Sequence, residues 1–136
     1  MLAHRDRMLD ELIRWLSAHA IEPTGPFFLR LNVVNMSGLM DIEVGVAGPA
    51  SNADDRVRAG TLPAGDYAIL AYRATSLAAN RLLLRWVHEQ GLVLDSQHLP
   101  AGEAFVCRCE RYLTDPRTER RKKTWVIELA FLTTLT

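Results

Sequence analysis

Apolar residues recur at helical spacing between Ala3 and His19: Met8, Leu9, Leu12, Ile13, Trp15 and Leu16. That spacing lines one side of a helix and predicts an amphipathic helix. "EPTGP", Glu22 to Pro26, closes it, because prolines and a glycine do not continue a helix. The pattern then switches to alternation. Phe27, Leu29, Leu31 and Val33 share one face of "FFLRLNVV". In "LMDIEVGV", Met40, Ile42, Val44 and Val46 point inward while Asp41 and Glu43 point outward. Both segments predict strands. "GPASNADD", Gly48 to Asp55, predicts a turn-rich loop. "VRAGTLPAG" predicts a short strand and "DYAILAYRA" another. A second helix is predicted from about Leu77 to Gln90. Thr75 or Ser76 would cap it, with Gly91 at the left-handed position beyond its end. "DSQHLPAGE" predicts a loop. The strands "AFVCRCERYL" and "TWVIELAFL" follow, on either side of the polar "TDPRTERRKK".

The chain writes one helix twice. "LIRWLSAHAI" begins at Leu12 and "LLRWVHEQGLVL" at Leu83, so Arg14 and Trp15 meet Arg85 and Trp86. Each helix is followed by two strands. Placing Phe27 on Phe105 sets Arg30 on Arg108 and Asn32 on Glu110, and "DIEVGV" on "VIELAF" sets Glu43 on Glu128. The alternation therefore predicts an α+β fold of two pseudo-symmetric halves. These are helix-strand-strand repeats over about 1–47 and about 66–133 of a single 1–136 domain. Each half carries one of the two main helices. The second helix has a strand ahead of it, "DYAILAYRA". The first has none, so that strand is lost, supplied by a partner chain, or cut off by the chosen start.

Composition narrows the classes. The 136 residues are 49% hydrophobic and 24% charged, enough for one core, and the formal net charge is zero. A nucleic-acid-binding domain usually carries a basic surplus, so no direct nucleic-acid partner is expected. No apolar run is long enough to span a membrane, and no secretory signal leads the chain. Cys107 and Cys109 are too few for a disulfide framework, and a reducing, cytoplasmic setting is expected. They also lack the four ligands of a zinc site, so neither metal nor cofactor is expected, and both read as small buried hydrophobes. His4, His19, His88 and His98 read as solvated, and Trp15 and Trp86 as core.

The strand "FVCRCERY" carries the candidate chemistry. Phe105, Cys107 and Cys109 alternate with Val106, Arg108, Glu110 and Tyr112; Phe28, Arg30 and Asn32 belong to the corresponding face of the first copy. These polar groups either line a site or form the wet face of a one-sided sheet. A part-buried glutamate has a raised pKa unless a cation stands nearby. Arg108 would neutralise Glu110 in the empty protein, and an organic cation stacking on Tyr112 or Trp125 would replace it.

Several pieces together resemble the GyrI-like small-molecule-binding domain, the effector-binding module of AraC-type and MerR-type multidrug regulators. They are "AIEPTGP", "DIEVGV", "TLPAGDYAIL", "LLRWVHEQGL", "GEAFVCRCERYLTDP" and "WVIELAFL", and they span essentially the whole chain. The resemblance implies two halves sharing an antiparallel sheet, with a ligand groove between them. It implies a functional glutamate at Glu110 and an aromatic partner at Trp125. Some stand-alone members resemble hydrolases of cyclopropane-bearing genotoxins. The family's first strand is missing before Ala3, its usual aromatic is Asn32 here, and no DNA-binding region accompanies the domain.

Three functions stay open. The first is stand-alone binding of amphipathic or cationic aromatic small molecules at Glu110, Trp125, Tyr112, Asn32, Arg108 and Phe28. The second is hydrolysis in the same groove, with Glu110 as general acid or base and Glu43 or Glu128 as a second carboxylate. The third is a protein-interaction or gyrase-modulating module, with a possible homodimer through an exposed sheet edge.

Overall fold

The computed structural model describes residues 2–35, 38–49, 54 and 56–134. Part of the expected "NMSG" and "GPASNADD" turns lies outside them. Helix α1 spans Leu2–Ala18 and α2 Ser76–Glu89. The strands are β1 Phe27–Val34, β2 Asp41–Val46, β3 Tyr67–Tyr72, β4 Val93–Leu94, β5 Ser96–Leu99, β6 Gly102–Phe105, β7 Arg108–Tyr112 and β8 Ile127–Thr134. All eight join in an antiparallel sheet, giving the α+β architecture that the alternation implied. Across the centre the order is β2, β1, β7, β8, β3; β6 continues β7 past an irregular step and pairs with β1 and β5.

Both helices cover one face. Leu9, Leu12 and Leu16 of α1 bury against Phe27, Leu29, Leu31, Tyr112 and Ile127. Ala79, Leu83 and Val87 of α2 bury against Ala68, Leu129 and Phe131. Each fully buried leucine is worth about 1.5–3 kcal/mol, so these stripes, more than helix propensity, hold the helices in place.

The helices end alike. The Leu92 N–H bonds the Val87 carbonyl at 3.0 Å, and Gly91 takes φ +69°. The Ile21 N–H bonds the Leu16 carbonyl at 3.0 Å, and Ala20 takes φ +53°. Both are the left-handed Schellman ending, which Gly91 adopts freely and Ala20 adopts under strain. Helix α1 therefore stops ahead of "EPTGP" through its own cap.

The strands repeat too, in a different register from the one expected. Leu29 pairs with Glu110 at the middle of the β1–β7 ladder. Arg30 pairs with Glu43 across β1–β2, and Arg111 with Glu128 across β7–β8. Those pairs are ion pairs of 3.4 and 2.7 Å, one per half. Glu43 does match Glu128, but Arg30 matches Arg111 rather than Arg108, and Leu29 rather than Asn32 is the counterpart of Glu110. The cause is the irregular step at Val106 and Cys107, which interrupts the strand expected to run unbroken through "AFVCRCERYL".

Three further expectations change. "VRAGTLPAG" forms no strand among its described residues; Val57 packs beside the α1 core and Arg58 sits 3.5 Å from Glu43. "DSQHLPAGE" contributes the β5–β6 hairpin, turning at Pro100 and Ala101. Trp86 is 45% exposed rather than core. Among the described residues β2 has a strand neighbour only in β1, whereas its counterpart β8 lies between β7 and β3. No described helix is long and apolar enough to cross a membrane.

Candidate functional site

Because Leu29 and Leu129 flank Glu110 in the ladder, Glu110 points to the helix-covered face. Alternation sends Arg108 and Tyr112 the same way. The wet-face expectation is therefore overturned: Glu110 is only 7% exposed and Tyr112 is fully buried. Trp125, just ahead of β8, packs its ring 5.5 Å from that of Tyr112 and bonds the Glu119 carbonyl through Nε1.

Two guanidinium groups approach from opposite sides. Arg108 donates to Asn80 of α2 at 2.9 Å and stacks over the Phe105 and Phe131 rings, 4.8 and 4.4 Å from their centroids. Arg5 comes from the first turn of α1, where a positive charge opposes the helix dipole. It occupies the stripe position ahead of Leu9, Leu12 and Leu16 and is 7% exposed. It donates to the Tyr112 hydroxyl at 3.5 Å and is held by Asp6 at 2.8 Å. Asp6 also bonds Lys122. The Tyr112 hydroxyl in turn donates to Glu110 Oε2 at 3.3 Å.

Glu110 is nevertheless short of partners. Among the described residues Tyr112 supplies its one hydrogen bond, and no cation lies within ion-pair distance. Burial raises its pKa above the ordinary 4.5; Arg5, the Tyr112 hydroxyl and Arg108 oppose the shift without cancelling it. Burial and Glu110 push the Tyr112 hydroxyl far up as well. Burial works against the Arg5 charge, but Tyr112 and Asp6 outweigh it and its pKa rises. Two buried polar atoms here have no hydrogen bond among the described residues: Arg108 Nε and the Tyr72 hydroxyl. Ser76 lies beside Tyr72, too poorly placed for a bond of ordinary geometry.

A carboxyl raised in the folded state adds stability below its ordinary value and loses it as pH rises through its folded value. Asp6 and Asp115, held low by their basic partners against burial, act in the opposite sense and only at lower pH. The stability gap between Glu110→Gln and wild type is thus expected to widen in the variant's favour from pH 4.5 upward, by denaturant titration at several pH values. A gap that is constant with pH would contradict the raised carboxyl.

The other candidates fall elsewhere. Phe28 packs on the helix-free face with Cys107, Cys109 and Leu132, its ring over Gly45, where a Cβ would stand 2.5 Å from Phe28 Cζ. Asn32 sits half-buried at a β-bulge, away from Glu110. Glu43 and Glu128 are on the helix-free face with their arginines, so neither stands beside Glu110 as a second carboxylate. Among the described residues no cluster of three or more His, Cys, Asp or Glu is arranged to hold a metal. Sequence reasoning missed Arg5 and Tyr72. The available signal for Arg5 was a charge at a core position of the α1 stripe.

Two cavities lie near the site, and Glu110 lines neither. One of about 260 Å³ is bounded by Phe27, Arg111, Tyr112 and Arg117. The other, about 240 Å³, lies against Trp125 with Leu9 and Ile13 as its apolar wall and Asp6, Asp10 and Lys122 at its sides. Neither reaches the roughly 300 Å³ of an ordinary small-molecule pocket. No protein-family model and no curated protein matches this chain.

Proposed function

We propose that the protein is a GyrI-like binding module for amphipathic or cationic aromatic small molecules, with Glu110 as counter-charge. One observation carries the reading: a buried carboxyl with a single hydrogen bond among the described residues, set among Tyr72, Tyr112 and Trp125 and faced by two arginines at a distance. Buried charges are ordinarily paired, and a carboxyl whose pKa is raised by burial among aromatics points to a site. Arg5 acts as an internal stand-in for the ligand's positive end. Its place on the first turn of α1 lets it leave without unfolding the helix. The cavity against Trp125 then extends inward, so that the aromatic body stacks on Trp125 and the cationic end meets Glu110.

Arg5→Met keeps the stem of the side chain and removes its charge. Affinity for a cationic amphipathic dye is expected to rise about fivefold, near 1 kcal/mol, by fluorescence titration. Unchanged affinity would remove Arg5 from this role.

The raised Glu110 carboxyl also favours a second reading, hydrolysis of a strained electrophile with Glu110 as general acid. Product exceeding one equivalent per chain would identify turnover, and stoichiometric binding would identify the module. Should neither dye nor electrophile respond, the outer edge of β2, which has no strand neighbour among the described residues, becomes the functional feature, as a docking strand for a second copy.

A further inference from the structure

Cys107 and Cys109 play no part in the Glu110 site. They lie on the helix-free face, each 2% exposed, with sulfurs 3.6 Å apart. Their surroundings differ. Cys109 is fixed in the β7 ladder between Arg30 and Ala130. Cys107 belongs to the irregular step between β6 and β7, next to Val106, which is exposed. Arg30 spans this step, donating to the Val106 carbonyl at 2.7 Å, and Tyr67 and Phe28 pack against the pair.

We propose that Cys107 and Cys109 form a peroxide-sensitive dithiol that closes to an intramolecular disulfide, with Cys107 attacking and Cys109 resolving. Neighbouring α-carbons on one face of a strand stand about 6.5 Å apart, near the upper end of the range a disulfide spans. A rigid ladder would resist closing the sulfurs to about 2.05 Å. Here Cys109 is paired on both sides, whereas Cys107 sits at the end of the ladder, held by β8 alone through the Leu132 N–H at 2.9 Å.

The two thiols are also chemically unequal. The contact with Cys109 lowers the Cys107 thiol below its ordinary value; Tyr67 and Arg30 assist, while burial and Glu43 oppose. The same contact, with burial, pushes Cys109 up, so it keeps its proton. Thiolate is the nucleophilic form, so Cys107 reacts first. Its sulfur attacks one oxygen of hydrogen peroxide, the O–O bond breaks, and the departing hydroxide takes a proton to become water. Cys107 is left as a sulfenic acid. The Cys109 sulfur attacks it, the S–S bond forms and the S–O bond breaks. The Cys109 proton leaves with that hydroxide as a second water. Two thiols are oxidised and one peroxide is reduced.

The residue between the cysteines is Arg108, which makes the test direct. Reduced wild-type protein is treated with hydrogen peroxide, freed of excess peroxide, denatured in iodoacetamide and cut with trypsin after Arg108. The expected product is two peptides held together until reductant is added, from protein that stays monomeric on a non-reducing gel. Cys109→Ser is expected to trap a dimedone adduct at Cys107, and Cys107→Ser to give none at Cys109. Recovery of both alkylated cysteines, at a dose that fully oxidises glutathione, would overturn the proposal. So would a disulfide between chains, or an adduct on Cys109.

Discussion

Phe131→Ala is expected to destabilise the fold by about 4 kcal/mol, within the 3–5 kcal/mol usual for emptying a buried phenylalanine site. Phe131 is 1% exposed and joins Ala79, Leu83 and Val87 of α2 to the sheet. Its ring also carries Arg108, 4.4 Å above the centroid. Truncation removes the apolar contact and leaves a guanidinium over a void, so two losses coincide. Urea unfolding measures the first. Phe131→Leu, which refills much of the volume without a π-face, separates the second. A cost under about 1 kcal/mol for the alanine variant is what a surface position gives and would contradict this packing.

Glu110→Gln is expected to weaken cationic dyes at least tenfold, about 1.4 kcal/mol, while sparing the fold. The two effects have different causes. The amide keeps the shape of the side chain and still accepts from Tyr112, so β7 and the Leu29 and Leu129 contacts persist. It removes a charge that burial already disfavours, so neutral-pH stability does not fall. The ligand, by contrast, loses its buried counter-charge, and a charge-assisted hydrogen bond is worth about 1.5–3 kcal/mol. Loss of binding together with loss of stability would mean that Glu110 is a structural ion and no more.

Much of this was legible in the sequence. The α1 stripe, the alternation in β1, β2 and β8, and the Gly91 ending are local patterns, and they fold as written. The repeat was legible as well, down to Glu43 and Glu128. What the sequence concealed is non-local. The step at Val106 and Cys107 has no local mark, because Phe105 to Tyr112 alternates without a break. Matching Phe27 to Phe105 therefore set the second strand out of register and placed Phe28 and Asn32 beside Glu110. Ser96, Gln97 and His98 read as loop because they are polar, yet an edge strand keeps polar side chains in water. Trp86 read as core because it lies at the edge of the apolar stripe, though the buried α2 stripe is Ala79, Leu83 and Val87. Arg5 was overlooked because a search for apolar periodicity passes over the charged member of a stripe.

Affinity of one cationic amphipathic dye as a function of pH, set beside its neutral isostere, bears most directly on the role of Glu110. Only the ionised carboxylate attracts a cation, and burial holds Glu110 above its ordinary 4.5. Cationic affinity is expected to climb as pH rises through that raised value and then level off. The neutral isostere should stay flat, as should both dyes with Glu110→Gln. A cationic dye that binds wild type and Glu110→Gln equally, with no change across pH, would contradict Glu110 as the counter-charge.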